Sequence, residues 1–220
     1  MEGMQLLSAL LDFLFPPRCP SCHACVERQG FCPACARQLI GMRRMMEMGA
    51  MAEDLTGVWV LAHYRDGIRD LLRALKYHRK MAVLDNLRTI LAAGEEVLEE
   101  LPPSLIAVPV PLAPQRQKER GFNQTEEIFA PWFASYGIPF EPILVRTRET
   151  MPLYEMTRTE RRQELRSAFA LVHGADVQGK DLLLVDDIMT TGATLTECAH
   201  VLRHGGARRV YAIALAGEHR

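Results

Sequence analysis

The sequence predicts an α/β protein: a parallel sheet with helices on both faces, preceded by a small metal-binding module. Three observations carry this. From residue 58 onward, short apolar runs alternate with amphipathic segments of helical length. One run, residues 182–185, is wholly apolar, as a strand buried on both faces requires. Ahead of them, five of the six cysteines crowd between Cys19 and Cys35.

The elements follow in order. Met4, Leu7, Leu10, Leu11 and Leu14 recur at helical spacing, so a short helix over 4–15 is expected, ended by Pro16 and Pro17. The cysteine cluster and a Met-rich stretch from Gly41 to Glu53 then lead into the main domain. We therefore divide the chain into residues 1–53, helix plus cysteine module with connector, and residues 54–220. Within the second part, strands are expected at 58–63, 105–110, 142–145, 182–185 and 210–216. Helices are expected at 68–77, 85–100, 123–136 and 193–204, the last closed by Gly205 and Gly206.

The 220 residues are 48% apolar and carry a formal net charge of -1. Such a chain can bury a substantial core, and it has no global attraction for nucleic acid. No apolar run reaches the roughly 18 residues a membrane span needs, and Glu2 sits where a signal peptide is positive, so a cytoplasmic protein without membrane insertion is expected. In a reducing cytosol, crowded cysteines favour a metal over disulfides. Cys19-x2-Cys22 and Cys32-x2-Cys35 are spaced to hold one tetrahedral Zn2+, and Cys22-x2-Cys25, with His23 between, offers a rival first pair. Cys198 lies on a helical face with Leu195 and Leu202 and reads as core.

The segment LLLVDDIMTTGATL, residues 182–195, concentrates the chemistry. A buried strand runs out into Asp186 and Asp187, then into Thr190, Thr191, Gly192, Ala193 and Thr194. That turn opens a helix whose free N–H groups and positive dipole end suit a phosphate, and Gly192 lets the backbone approach closely. The carboxylates can accept from vicinal ribose hydroxyls. The turn and the two carboxylates together suit a ribose 5-phosphate. Asp-Asp after an apolar strand also describes a nucleotide-hydrolase edge, but Gly174–Asp181 has Asp181 where a phosphate loop needs Ser or Thr.

Upstream, Val108-Pro109-Val110-Pro111 precedes Arg116, Lys118 and Arg120, and the last opens Arg120-Gly121-Phe122-Asn123-Gln124. With residues 182–195 and the cysteine pairs at the front, this resembles the ComF/GntX family of type I phosphoribosyltransferase-like proteins over nearly the whole chain. The resemblance implies the type I phosphoribosyltransferase fold, phosphoribosyl pyrophosphate (PRPP) as ligand with Mg2+, and a structural Zn2+. It assigns Asp186 and Asp187 as the catalytic pair holding ribose, Thr190 to Thr194 as the 5-phosphate loop, and Arg116, Lys118 and Arg120 as the pyrophosphate loop. It also favours Cys19, with Cys22, Cys32 and Cys35, as the metal set. Residues 146–169 would form a hood carrying Arg158, Arg161, Arg162 and Arg166; Leu153 and Glu164 stand there where the family usually has Gln and Asn. The basic face Arg69, Arg73, Lys76, His78, Arg79 and Lys80 resembles a further family element, from which Lys76 would reach a phosphate.

Two functions are consistent with this sequence. One is phosphoribosyl transfer from PRPP, or its hydrolysis, by an enzyme of the glycosyltransferase class, for which the resemblance implies a link to DNA uptake in natural competence. The other is a non-catalytic factor that binds single-stranded DNA or a competence helicase with the same phosphate-grasping loops.

Overall fold

The computed structural model describes residues 16–45, 53–148, 160, 164–165 and 167–218. The helix expected over 4–15 and the hood arginines 158, 161, 162 and 166 lie outside these residues, as does Leu153. Among the described residues the elements are α1 (Pro33–Leu39), β1 (Ile40–Arg44), β2 (Gly57–Ala62), α2 (Asp66–His78), α3 (Leu84–Arg88), α4 (Glu95–Glu100), β3 (Leu105–Pro109), α5 (Pro114–Arg120), α6 (Gln124–Ser135), β4 (Leu144–Arg146), β5 (Phe169–Leu171), β6 (Asp181–Met189), α7 (Ala193–His204) and β7 (Arg209–Gly217).

The main sheet has the order β1-β2-β7-β6-β3, with β2, β7, β6 and β3 parallel and β1 antiparallel at one edge. Alternation along each strand builds two cores. Trp59, Leu61, Leu183, Val185, Ile213 and Leu215 face one side, under α2, α3 and α6. Val58, Val60, Leu182, Leu184, Ala212 and Ala214 face the other, under α7 and the β4-β5 hairpin. This is the doubly covered α/β architecture expected from the alternating pattern.

Three local readings change. Residues 40–44 are the edge strand β1 and not part of a connector; Ile40 and Met42 pack against the first core, so one face of the segment is apolar enough to join the sheet. Residues 85–100 are not one α-helix: α3 passes into a 3-10 segment, Thr89–Gly94, before α4. Thr89 Oγ1 donates to Asn86 O at 2.7 Å, and Gly94 lies so close to Trp132 and Leu61 that an added Cβ would stand 3.0 Å from the indole. The buried Leu87, Ile90, Leu91 and Val97 keep an apolar stripe through that change, so the sequence pattern hides it. Finally, β6 continues past Val185 to Met189, pairing Asp186 with Ala214 and Met189 with Gly217 of β7.

At the opposite end of β6, Asp181 is fully buried and accepts from Arg208 and Arg209; Arg208 Nε lies 2.9 Å and Arg209 Nη2 2.7 Å away. Those hydrogen bonds hold its carboxyl well below the usual range. A folded-state value below the unfolded one, about 3.9, means that the stabilisation is complete above that pH and is lost as pH falls further. Asp181→Asn should therefore cost about 2 kcal/mol at neutral pH, since both arginines keep water contact, and progressively less below about pH 4. Urea unfolding of both proteins at pH 7 and pH 3 measures this; an equal loss at the two values would contradict it.

Candidate functional site

Because β6 continues as a strand through Asp186 and Asp187, the pleat sends their side chains to opposite faces. Asp187 follows Leu183 and Val185 toward α2, where its buried carboxylate meets Lys76 Nζ at 2.5 Å. Asp186 faces the other way and lines a recess with residues 188–195, the loop opening α7. Its Oδ1 accepts from the Asp187 N–H at 2.8 Å. Burial, and then the neighbouring Asp187 charge, push the Asp186 carboxyl well up.

The loop itself matches the geometry its sequence suggests. Gly192 sits at φ 74 before the first residue of α7, a left-handed conformation that a side chain would strain. Its carbonyl accepts from Thr196 N at 2.9 Å and Thr196 Oγ1 at 3.0 Å, so the first turn of α7 is well anchored and its leading N–H groups face outward from a fixed frame.

On the Asp187 face, a cleft of about 370 Å³ is lined by Lys76, Tyr77, His78, Arg79, Arg116, Glu119 and Arg120. Four permanent cations there face one carboxylate. Residues 114–120 form the helix α5 instead of a loop, and this sorts the three sequence candidates. Arg116 and Arg120, four apart, share one face and line the cleft; Lys118, two residues from each, projects elsewhere and is exposed. Burial pulls the Arg120 guanidinium down while Asp187 opposes the shift, and the group stays cationic at neutral pH. Tyr64 belongs to the same neighbourhood: burial, and then the Asp187 charge, raise its hydroxyl, which stays a neutral phenol.

The rest of the 120–124 motif is scaffolding. Gly121 ends α5 at φ 80. Asn123, buried, caps α6 by accepting from Thr125 N at 3.0 Å, and its Nδ2 donates to Val110 O at 3.2 Å. Gln124, also buried, accepts from Arg120. Arg79 adds a donor to Glu119 O, tying the end of α2 to α5. The basic face on α2 and its C-cap thus contribute Lys76, His78 and Arg79 to the cleft. Arg148 pairs with Glu164 at 3.4 Å, where the family's Asn is replaced.

In the cysteine module, the sulfurs of Cys19, Cys22, Cys32 and Cys35 lie within 4.8 Å of one another. Cys19 is buried, and tight turns form around the pairs: His23 N donates to Cys19 O at 3.0 Å, and Cys35 N approaches the Cys32 sulfur at 3.5 Å as α1 begins. Cys25 and His23 are exposed and outside this cluster. Four sulfurs at such spacing fit a tetrahedral zinc with thiolate ligands and no open position.

Comparison with known proteins places these features. Residues 128–220 match the Phosphoribosyl transferase domain, and residues 10–46 match the Double zinc ribbon domain. The chain is 32% identical over 158 residues to DNA utilization protein YhgH of Shigella flexneri, covering 68% of this chain and 67% of that one. The chain belongs to the ComF family. It is also 29% identical over 164 residues to Competence protein F of Haemophilus influenzae, covering 71% of each, and 26% identical over 202 residues to Competence protein ComFC of Streptococcus pneumoniae, covering 90% of this chain and 86% of that one. This ComF-family chain has the type I phosphoribosyltransferase fold with an N-terminal zinc ribbon, and the four-sulfur cluster lies within that ribbon, which supports a structural zinc. Among the described residues no helix is long and apolar enough to cross a membrane.

Sequence reasoning missed the Lys76–Asp187 pair itself. The pair joins positions 111 residues apart, which no local pattern reveals.

Proposed function

We propose that this chain binds PRPP at the carboxyl edge of its sheet and acts there as a phosphoribosyltransferase. The observation that carries the reading is the meeting of Asp187 with a cationic cleft on one face of β6 while Asp186 and the α7 loop lie on the other. On this reading Thr190, Thr191, Gly192, Ala193 and Thr194 hold the 5-phosphate, and Asp186 and Asp187 hold the ribose hydroxyls. Arg116 and Arg120, joined by Lys76 and Arg79, neutralise the pyrophosphate, with Lys118 contributing long-range charge from the outer face of α5. Catalysis then rests on preorganised charge that stabilises a departing pyrophosphate, with no protein base needed for that half of the reaction. Mg2+ is the expected companion of PRPP, since the aspartates and a pyrophosphate supply the hard oxygen donors it takes; it would offset pyrophosphate charge. Cys19, Cys22, Cys32 and Cys35 are the thiolates we assign to zinc, and we keep the division at residues 53 and 54, with β1 the strand by which the first part joins the sheet of the second, and the cytoplasmic setting as parts of the same reading.

The names of the YhgH and competence-protein relatives support a setting in DNA utilization and competence. Single-stranded DNA and a competence helicase are partners that the family resemblance, not those names, suggests. Gel shifts at rising salt test the first, since backbone contacts weaken steeply with salt.

Thermal unfolding tests the ligand reading. A ligand at a hundred times its Kd adds about 2.7 kcal/mol, so PRPP with Mg2+ should raise the melting temperature by several degrees. Ribose 5-phosphate should give a smaller rise and ribose none. A melting temperature indifferent to all three would contradict the reading.

A further inference from the structure

We propose that Asp54, His200 and His204 form a second metal site, for a divalent transition ion such as Zn2+, Co2+ or Ni2+, separate from the cysteine module. His200 and His204 stand one turn apart on α7, on the face turned away from its buried Leu195, Cys198, Ala199 and Leu202. Their rings lie 3.8 Å apart between centroids, and Asp54 Oδ2 lies 3.1 Å from His200 Nδ1. One donor atom from each of the three residues falls within 4.8 Å of the others. Only small side-chain shifts then separate this arrangement from a coordination shell with bonds of about 2.0–2.2 Å.

The surroundings favour a cation. His204 Nδ1 lies 2.9 Å from His200 O; a carbonyl only accepts, so Nδ1 carries the proton and Nε2 keeps the lone pair a metal needs. His204 sits in the last turn of α7, with His200 one turn before it, and the negative end of the helix dipole there attracts positive charge. Asp54 is held in place as well. The next residue, Leu55, is buried in the core that α7 covers, and Thr56 N donates to Val210 O at 2.7 Å.

The donor set decides the class of ion. Two imidazoles and a carboxylate suit borderline ions and leave positions for water, whereas Mg2+ and Ca2+ prefer all-oxygen shells. The site lies at the far end of α7 from Gly192, about 18 Å along a helix of that length. An ion there ties the last turn of α7 to the segment entering β2, and so stabilises the frame behind the phosphate loop without touching the loop.

The test uses the full, untagged chain carrying one zinc in its cysteine module. Calorimetric titration with Zn2+ should show one further equivalent, and Co2+ there should give absorption without thiolate-to-metal charge transfer. His200→Ala with His204→Ala should abolish that equivalent while leaving the first zinc and the circular dichroism spectrum unchanged. Asp54→Asn should weaken it by about 10- to 100-fold. No further equivalent in the unmodified protein, an undiminished one in the double variant, or an affinity unchanged by Asp54→Asn would overturn the proposal. None of these readouts depends on PRPP.

Discussion

Cys22→Ser or Cys32→Ser, or stripping the protein with a strong chelator, will unfold the cysteine module. Structural zinc supplies about 10–16 kcal/mol of apparent binding free energy in small domains, and that energy is folding energy because the unfolded chain has no preformed site. Residues 16–39 bury little without the metal: Cys19 and Leu39 are its buried apolar residues, while Cys22 is exposed. The damage should spread a defined distance. An added Cβ on Gly67, in the first turn of α2, would meet Pro20 O at 2.5 Å, so the module sits directly against that turn. Phe31 packs on the first core, and the module continues through α1 into the edge strand β1. Hydrogen exchange after zinc removal should show residues 16–45 exposed and the start of α2 loosened, with β6 and β7 still protected. Full protection of the module in zinc-free protein would contradict the account.

Lys76→Ala should cost about 3–5 kcal/mol, because it leaves Asp187 as a buried charge without its partner. The Asp187 side chain is 5% exposed and that of Lys76 15%, so water cannot take over the interaction. Arg120 stands near enough to recover part of the loss, which places the expectation toward the lower end. Removing both partners removes the unpaired charge, so Lys76→Ala with Asp187→Ala should be markedly more stable than the sum of the two single losses predicts. Urea unfolding of the four proteins gives the coupling directly, and strictly additive losses would contradict a buried pair. The same geometry bears on the proposed ligand binding: on that reading, Asp187 would share its carboxylate between Lys76 and the ribose hydroxyls, leaving the ammonium able to meet phosphate charge.

Much of this was legible in the residues. Strands alternating with helices, and the wholly apolar run 182–185, foretold a sheet with two covered faces, and the segment after Met189 foretold a turn opening α7. What escaped was either a change of helix type with the apolar stripe unbroken, as at Thr89–Gly94, or a meeting of distant residues. Lys76 with Asp187 is one such meeting. His200-x3-His204 is visible in the chain, but its third partner, Asp54, is 146 positions away. The Arg116, Lys118 and Arg120 trio looked equivalent as a loop; helical geometry put Lys118 on a different face.

The central claim, PRPP binding at the carboxyl edge of β6, meets its most direct test in isothermal titration of PRPP with Mg2+ into the intact protein and into Asp186→Ala with Asp187→Ala. The account predicts saturable one-to-one binding in the first and a loss of about a hundredfold or more in the second, given about 1.5–3 kcal/mol for each charge-assisted hydrogen bond removed. No heat of binding in the intact protein, or equal affinity in both, would contradict it.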